Sequence, residues 1–193
     1  MKIPLGQSFF VACVALVAAT VAIAGEPTGF RADLLGQIEY VQKQIMSLED
    51  ATPQDKFTWR PADGVRSIGE VYNHIAFGNY GLMSIAGYEA PADAGWSMEP
   101  EKWDKATIDK KEIAERLAKS FQHVKSTVTK ISDSDLEKDV DFFGNKMTLR
   151  SALMSELSHL HEHLGQSIAY ARMNGIVPPW TAAEQARAKE TSK

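Results

Sequence analysis

Apolar residues recur at spacings of three and four along four stretches of this 193-residue chain, which is how one buried face of a helix is written. The first stretch runs from Phe30 to Leu48, with Leu34, Leu35, Ile38, Val41, Ile45 and Leu48 in the stripe. The second opens at Ser67-Ile68-Gly69-Glu70, where a serine stands three residues ahead of a glutamate as a capping box requires. It continues to about Ala86, with Ile68, Val71, Tyr72, Ile75 and Asn79 facing inward. The third begins near Thr107 or Asp109 and reaches Ile131 through Ile113, Leu117, Phe121, Val124 and Val128. The fourth spans Thr148 to Asn174 and is stopped by Asn174-Gly175 and Pro178-Pro179. Between them, Pro53, Pro61 and Gly64 break the first connection, and Trp59-Arg60-Pro61 reads as a loop with an aromatic plug. Tyr88–Ala106 reads as loop, Ser132–Lys138 as a turn region, and Val140–Met147 as a small hairpin about Gly144-Asn145. No segment repeats. The expectation is an all-α chain, an antiparallel four-helix bundle, which builds its metal sites from side chains on facing helices.

The ends of the chain read differently. Met1-Lys2, an apolar run from Phe9 to Ile23, and Ala22-Ile23-Ala24 before Gly25 form the three parts of a cleavable leader over residues 1–24. The run is shorter than the roughly 20 residues needed to cross a bilayer, so export to the periplasm or beyond is expected, with no stable membrane anchor. The lone cysteine, Cys13, follows Phe10-Val11-Ala12 rather than a lipid-attachment signal, and cleavage leaves a chain without any thiol. Residues 25–180 then form the bundle domain, and 181–193 a polar tail, mobile chain or a frayed helix. The net charge of −4 comes without basic blocks, which argues against nucleic acid and anionic membrane surfaces as partners.

Five histidines carry the candidate chemistry. His159 and His163, four residues apart on one helix, project from the same face. His74, in the second helix, is placed to add a third ligand, and three protein ligands with an open position is the layout of a catalytic metal centre. His161 lies about 200° around the axis from both partners and should face solvent. His123 sits one step off its stripe, at a surface or boundary position. The stripe through Ala152, Glu156, His159, His163, Gln166 and Tyr170 is too polar for an ordinary core face. The plain alternative is a pair of solvated or hydrogen-bonded histidines. A zincin motif is excluded, since Gly165 stands where the second histidine of His161-Glu162-His163-Leu164-Gly165 would fall. A di-iron carboxylate site matches only Glu156-x-x-His159. Glu70 and His74 are four apart rather than three, and Glu39 is the obvious first-helix donor.

Trp59-x-Pro61, Ser67-Ile68-Gly69-Glu70 leading to His74-Ile75-Ala76, then His159-x-x-x-His163-x-Gly165-Gln166, Tyr170-x-Arg172-x-Asn174-Gly175 and Pro178-Pro179 together resemble the DinB/YfiT-like metalloprotein superfamily. The resemblance runs from about Phe30 to Trp180. It implies a four-helix bundle, often a homodimer, with a divalent ion (Zn, Ni, Fe or Mn) on His74, His159 and His163. It also implies a metal-dependent hydrolase or a thiol-dependent transferase acting on a small molecule. A thiol would have to arrive from outside the mature chain, and export argues against that supply. The alternative is a non-catalytic metal-binding or stress-associated export. No catalytic residue is assigned. Glu156 is placed to orient His159, act as a base or pair outward, while Gln166 and Asn73 are placed to bond a ligating imidazole. Tyr80, Trp96 and Trp103 are pocket or packing aromatics, and Arg172 complements the helix C-terminus. Substrate and reaction are not written in these residues.

Overall fold

The four apolar stripes become four long helices in the computed structural model, which describes residues 26–192. These are α1 (Gly29–Ala51), α2 (Ile68–Ile85), α4 (Lys110–Lys130) and α5 (Leu149–Met173). A short α3 (Pro100–Asp104), a hairpin of β1 (Asp139–Phe142) and β2 (Asn145–Thr148), and a terminal α6 (Pro179–Thr191) complete the order. The expected leader lies outside the described residues. Among the described residues no helix is long and apolar enough to cross a membrane.

The packing follows the stripes. Helices α1 and α2 each rest on both α4 and α5, and Leu34, Ile38, Val41, Ile75, Leu117, Phe121, Leu153 and Leu160 meet in one buried core. Three starts are fixed by side chains that satisfy the free amides of a first turn, each cap being worth about 1 kcal/mol. In the capping box, Ser67 N donates to Glu70 Oε2 at 2.7 Å and Glu70 N to Ser67 Oγ at 3.3 Å. Asp109 accepts from Glu112 N at 2.9 Å, and Thr148 Oγ1 accepts from Ser151 N at 3.2 Å.

Two segments depart from expectation. Tyr88–Ala106 is not loop throughout, because α3 forms inside it with Pro100 in its first turn. Trp103 Nε1 donates to the Asn73 carbonyl at 2.9 Å, and Asn73 Nδ2 donates to the carbonyls of Asp104 (3.0 Å) and Thr107 (2.9 Å), so α3 is bound to α2. The hairpin is present but turns at Phe143-Gly144, since Phe142 pairs with Asn145. Both turn residues have positive φ, 53° and 81°, as two-residue hairpins require. The polar tail takes the helical one of its two expected forms, from Pro179 to Thr191. Proline suits a first helical position, and alanine, glutamate, glutamine, arginine and lysine sustain the turns that follow.

Candidate metal centre

Helix α2 supplies His74, and α5 supplies His159 and His163. The two helices run antiparallel here, since His74 meets His163 while Gly78, one turn on, meets His159. One nitrogen from each imidazole lies within 4.8 Å of the others. Ring centroids are 4.6 Å apart for His159–His163, 4.8 Å for His74–His163 and 5.4 Å for His74–His159.

Two of the rings are turned by their neighbours. Asp104 Oδ1, from α3, accepts from His74 Nδ1 at 3.2 Å, and the other oxygen of that carboxylate accepts from Arg66 Nε at 2.7 Å. Gln166 Oε1 accepts from His163 Nδ1 at 2.9 Å, while its amide nitrogen donates to the Tyr170 hydroxyl at 3.0 Å. Protons held on Nδ1 leave the Nε2 lone pairs of both rings free, which is how outer partners commonly prepare ligating histidines. His159 is fixed by shape. A Cβ added to Gly78 would stand 2.2 Å from His159 Cε1, so the ring occupies the space that any side chain at 78 would fill. His159 Nδ1 is buried with no hydrogen-bond partner among the described residues.

Electrostatics favour the neutral form of the two α5 histidines. Burial lowers the His159 pKa to about 3, helped by repulsion from His163 and His74. Burial also lowers His163, against the hydrogen bond that His163 donates to Gln166. Asp104 is pushed up by burial, but the hydrogen bonds to His74 and Arg66 outweigh that and hold its carboxyl below the ordinary range. Two α5 imidazoles held neutral, free Nε2 lone pairs on His74 and His163, a buried orphan nitrogen and a glycine cradle all fit a cation ligand.

The remaining candidates separate cleanly. His161 is exposed, its Nδ1 2.9 Å from the Leu157 carbonyl. His123 is half-buried between Tyr80 and the Tyr88 carbonyl, and burial lowers its pKa. Glu156 makes no outward ion pair among the described residues. It is fully buried, both oxygens lack partners there, and burial pushes its pKa up to about 8. Asn73 bonds the backbone around α3 instead of an imidazole, because its side chain points to α3 rather than across to α5. Trp103 is a buried plug with Tyr80 edge-on and Arg116 over its ring, while Trp96 lies against Phe77. Arg172 is exposed in the last turn of α5. Glu39 is exposed on α1, and among the described residues no carboxylate joins the three histidines, which leaves the di-iron reading without donors.

Sequence reasoning missed Asp104 and Gly78. A lone aspartate in an irregular segment gives no signal of its own. Gly78 did give one, since glycine within a helix costs roughly 0.5–1 kcal/mol relative to alanine and needs a reason.

Two cavities flank the trio. One, of about 400 Å³, has His74 and His159 in its floor and Phe77, Leu82, Met98, Phe142 and Phe143 in its walls. The other, of about 640 Å³, is polar and lies on the Asp104 and Gln166 side, among Arg60, Arg66, Glu70 and Lys105.

The sequence profile of the DinB superfamily matches residues 37–167, a span that takes in all three histidines. A DinB-like protein from Bacillus cereus is similar in structure, with a TM-score of 0.67 and 21% identity over 77% of this chain and 95% of its own. A conserved protein from Enterococcus faecalis gives 0.63 and 16% over 76% and 97%. A DinB-like protein from Bacillus subtilis gives 0.59 and 16% over 75% and 93%. At these identities the likeness is one of fold. A search of curated proteins gives no match.

Proposed function

The chain belongs to the DinB superfamily, and we propose that it is an exported metal-binding protein whose four long helices form an antiparallel bundle holding one divalent ion on His74, His159 and His163. The observation that carries this reading is the convergence of the three rings within 4.8 Å, with two of them turned by Asp104 and Gln166 to leave Nε2 free. A divalent ion held by imidazoles supplies Lewis-acid polarisation or an activated bound water or thiol. Nitrogen donors of this kind suit zinc, nickel or iron, and manganese less well.

The chain's own residues bind and orient. Asp104, anchored by Arg66, aligns His74; Gln166, anchored by Tyr170, aligns His163; Gly78 seats His159. Hydrolysis of a small molecule is favoured over thiol transfer, because the mature chain offers no cysteine and export works against the supply of a small-molecule thiol. The second reading is a non-catalytic metal binder. What favours it is that the acids and bases lining the 400 Å³ cavity are few: His74, His159 and Glu162. Export rests on the leader sequence, and N-terminal sequencing of protein recovered from cells should give Gly25 first. The homodimer is a further proposal, which light scattering tests directly.

Elemental analysis and zinc calorimetry of the purified chain test the central claim. The expected result is one ion per chain, followed by activity screening with each metal restored. A wild-type chain that takes up no divalent metal ends the reading.

A further inference from the structure

The walls above the histidines, rather than the histidines themselves, point to what enters. We infer that the 400 Å³ cavity is a subsite for the neutral alkyl or aryl body of a small molecule whose donor atom reaches the ion. This rests on the metal reading above.

The volume lies in the range of small-ligand sites, and His74 and His159 of the trio form its floor. The walls are apolar and come from three elements: Phe77 and Leu82 of α2, Met98 of the segment before α3, and Phe142 with Phe143 of the hairpin. Their polar groups are already engaged. Ser155 Oγ donates to the Ser151 carbonyl at 3.1 Å and Ser158 Oγ to the Met154 carbonyl at 3.0 Å, so the serines are committed to their own helix. Recognition is therefore left to apolar contact. Charge points the same way, since among the described residues Glu162 is the one carboxylate in the lining and no lysine or arginine joins it. The outer part of an anionic body would meet that carboxylate with no cationic side chain in the lining to offset it. The cations gather at the other cavity, where Arg60, Arg66 and Lys105 are paired with Glu70, Asp104 and Glu101.

An independent observation comes from the turn. Phe143 holds φ 53°, a conformation that glycine or asparagine adopts readily and a bulky side chain does not. It is 67% exposed and Met98 57%, so neither contributes much to the core. A strained, exposed aromatic that stability does not call for, standing in the wall of a cavity floored by metal ligands, has the character of a functional residue. Its ring meets Phe142 edge-on at 4.9 Å, which makes an aromatic lip.

The test uses hydroxamates on the zinc-loaded chain, followed by calorimetry. Octanohydroxamate should bind roughly tenfold or more tighter than acetohydroxamate, because its added methylenes leave water. An eight-carbon hydroxamate ending in a carboxylate should lose most of that gain. Octanamide, which lacks the chelating group, should bind far more weakly than octanohydroxamate. Phe143→Gly, at an exposed turn where glycine is conformationally preferred, should keep or raise the melting temperature and cut the octano-to-aceto ratio several-fold. Equal affinity for the two hydroxamates with zinc bound at one per chain overturns the subsite and leaves the metal centre standing. An unchanged ratio in Phe143→Gly together with Met98→Ser also overturns it. No zinc in the same titration removes the metal centre, and the subsite with it.

Discussion

Gly78 and Glu156 show how one residue can set the behaviour of a buried polar stripe. Gly78 lets the His159 ring lie flush against α2, its Cε1 2.2 Å from where a Cβ at position 78 would stand. Gly78→Ala should therefore lower zinc affinity at least about tenfold by displacing His159. Stability of the metal-free chain should change by no more than about 1 kcal/mol, since alanine's better helix propensity offsets part of the clash. A chelator competition assay beside urea unfolding checks both halves, and full zinc affinity in the variant would defeat the cradle argument. Glu156 governs pH dependence. Burial raises its pKa from 4.5 to about 8, so between those values the folded chain keeps a proton that the unfolded chain has released. Stability contributed at this site therefore falls as pH rises from 4.5 to 8 and is level above. His159, lowered from 6.5 to about 3, works the other way, adding stability as pH rises from 3 to 6.5. Above 6.5 that imidazole is neutral in both states, and the decline belongs to buried carboxyls: Glu156 throughout, with Glu49, raised by burial to about 7, in the lower part. From pH 6.5 to 8 the metal-free chain should lose about 2 kcal/mol to Glu156, at 1.36 kcal/mol per pH unit. Glu156→Gln should flatten most of this. A decline of the same size in Glu156→Gln would assign it elsewhere.

At the scale of elements, α3 matters more than its five residues imply. It carries Asp104 to His74, and the Asn73 and Trp103 bonds pin it to α2. Asp104→Asn keeps the shape but removes the charge that holds the His74 proton on Nδ1. Zinc affinity should fall roughly 10- to 100-fold, the usual cost of losing an outer partner of a ligating histidine. Arg66→Ala should cost less, because the arginine acts only through Asp104 and is partly in water. Competition against a chromophoric chelator measures both, and an Asp104→Asn chain with wild-type affinity would show His74 to be positioned without it. The four long helices were legible because each writes several turns of 3.6-residue periodicity and three of them also write a side-chain cap. Helix α3 was not, since five residues hold little more than one turn and its bonding partners lie about thirty residues away. The hairpin was legible in place but displaced by one residue. Gly144-Asn145 has the better turn chemistry, yet the strands pair so that Phe143 takes the positive-φ position. Local preference lost there to a tertiary arrangement that aims aromatics at the cavity.

For the whole molecule, an ion on His74, His159 and His163 would join α2 to α5 through three bonds. The unfolded chain lacks that arrangement, so ligand binding becomes folding free energy. At a free zinc concentration a hundredfold above the dissociation constant the increment is about 2.7 kcal/mol. For a domain of this length that raises the melting temperature by about 5–10 °C. The histidine pair was legible from its spacing and the third ligand from its separate capped helix. That the three converge depended on how α2 and α5 pack, which no local pattern encodes. The substitution series tests that geometry at one stroke. His74→Ala, His159→Ala and His163→Ala should each abolish the zinc-dependent rise, because a three-ligand site has no spare donor. His161→Ala, on the exposed face of α5, should keep all of it. His123→Ala should lower the baseline, since its ring packs on Tyr80 and reaches the Tyr88 carbonyl, and still keep the full zinc increment. Differential scanning calorimetry with and without zinc reads every case. A rise lost in His161→Ala but kept in His159→Ala would mean that α5 presents its other face to the ion. A rise kept in all five variants would place zinc somewhere other than between α2 and α5.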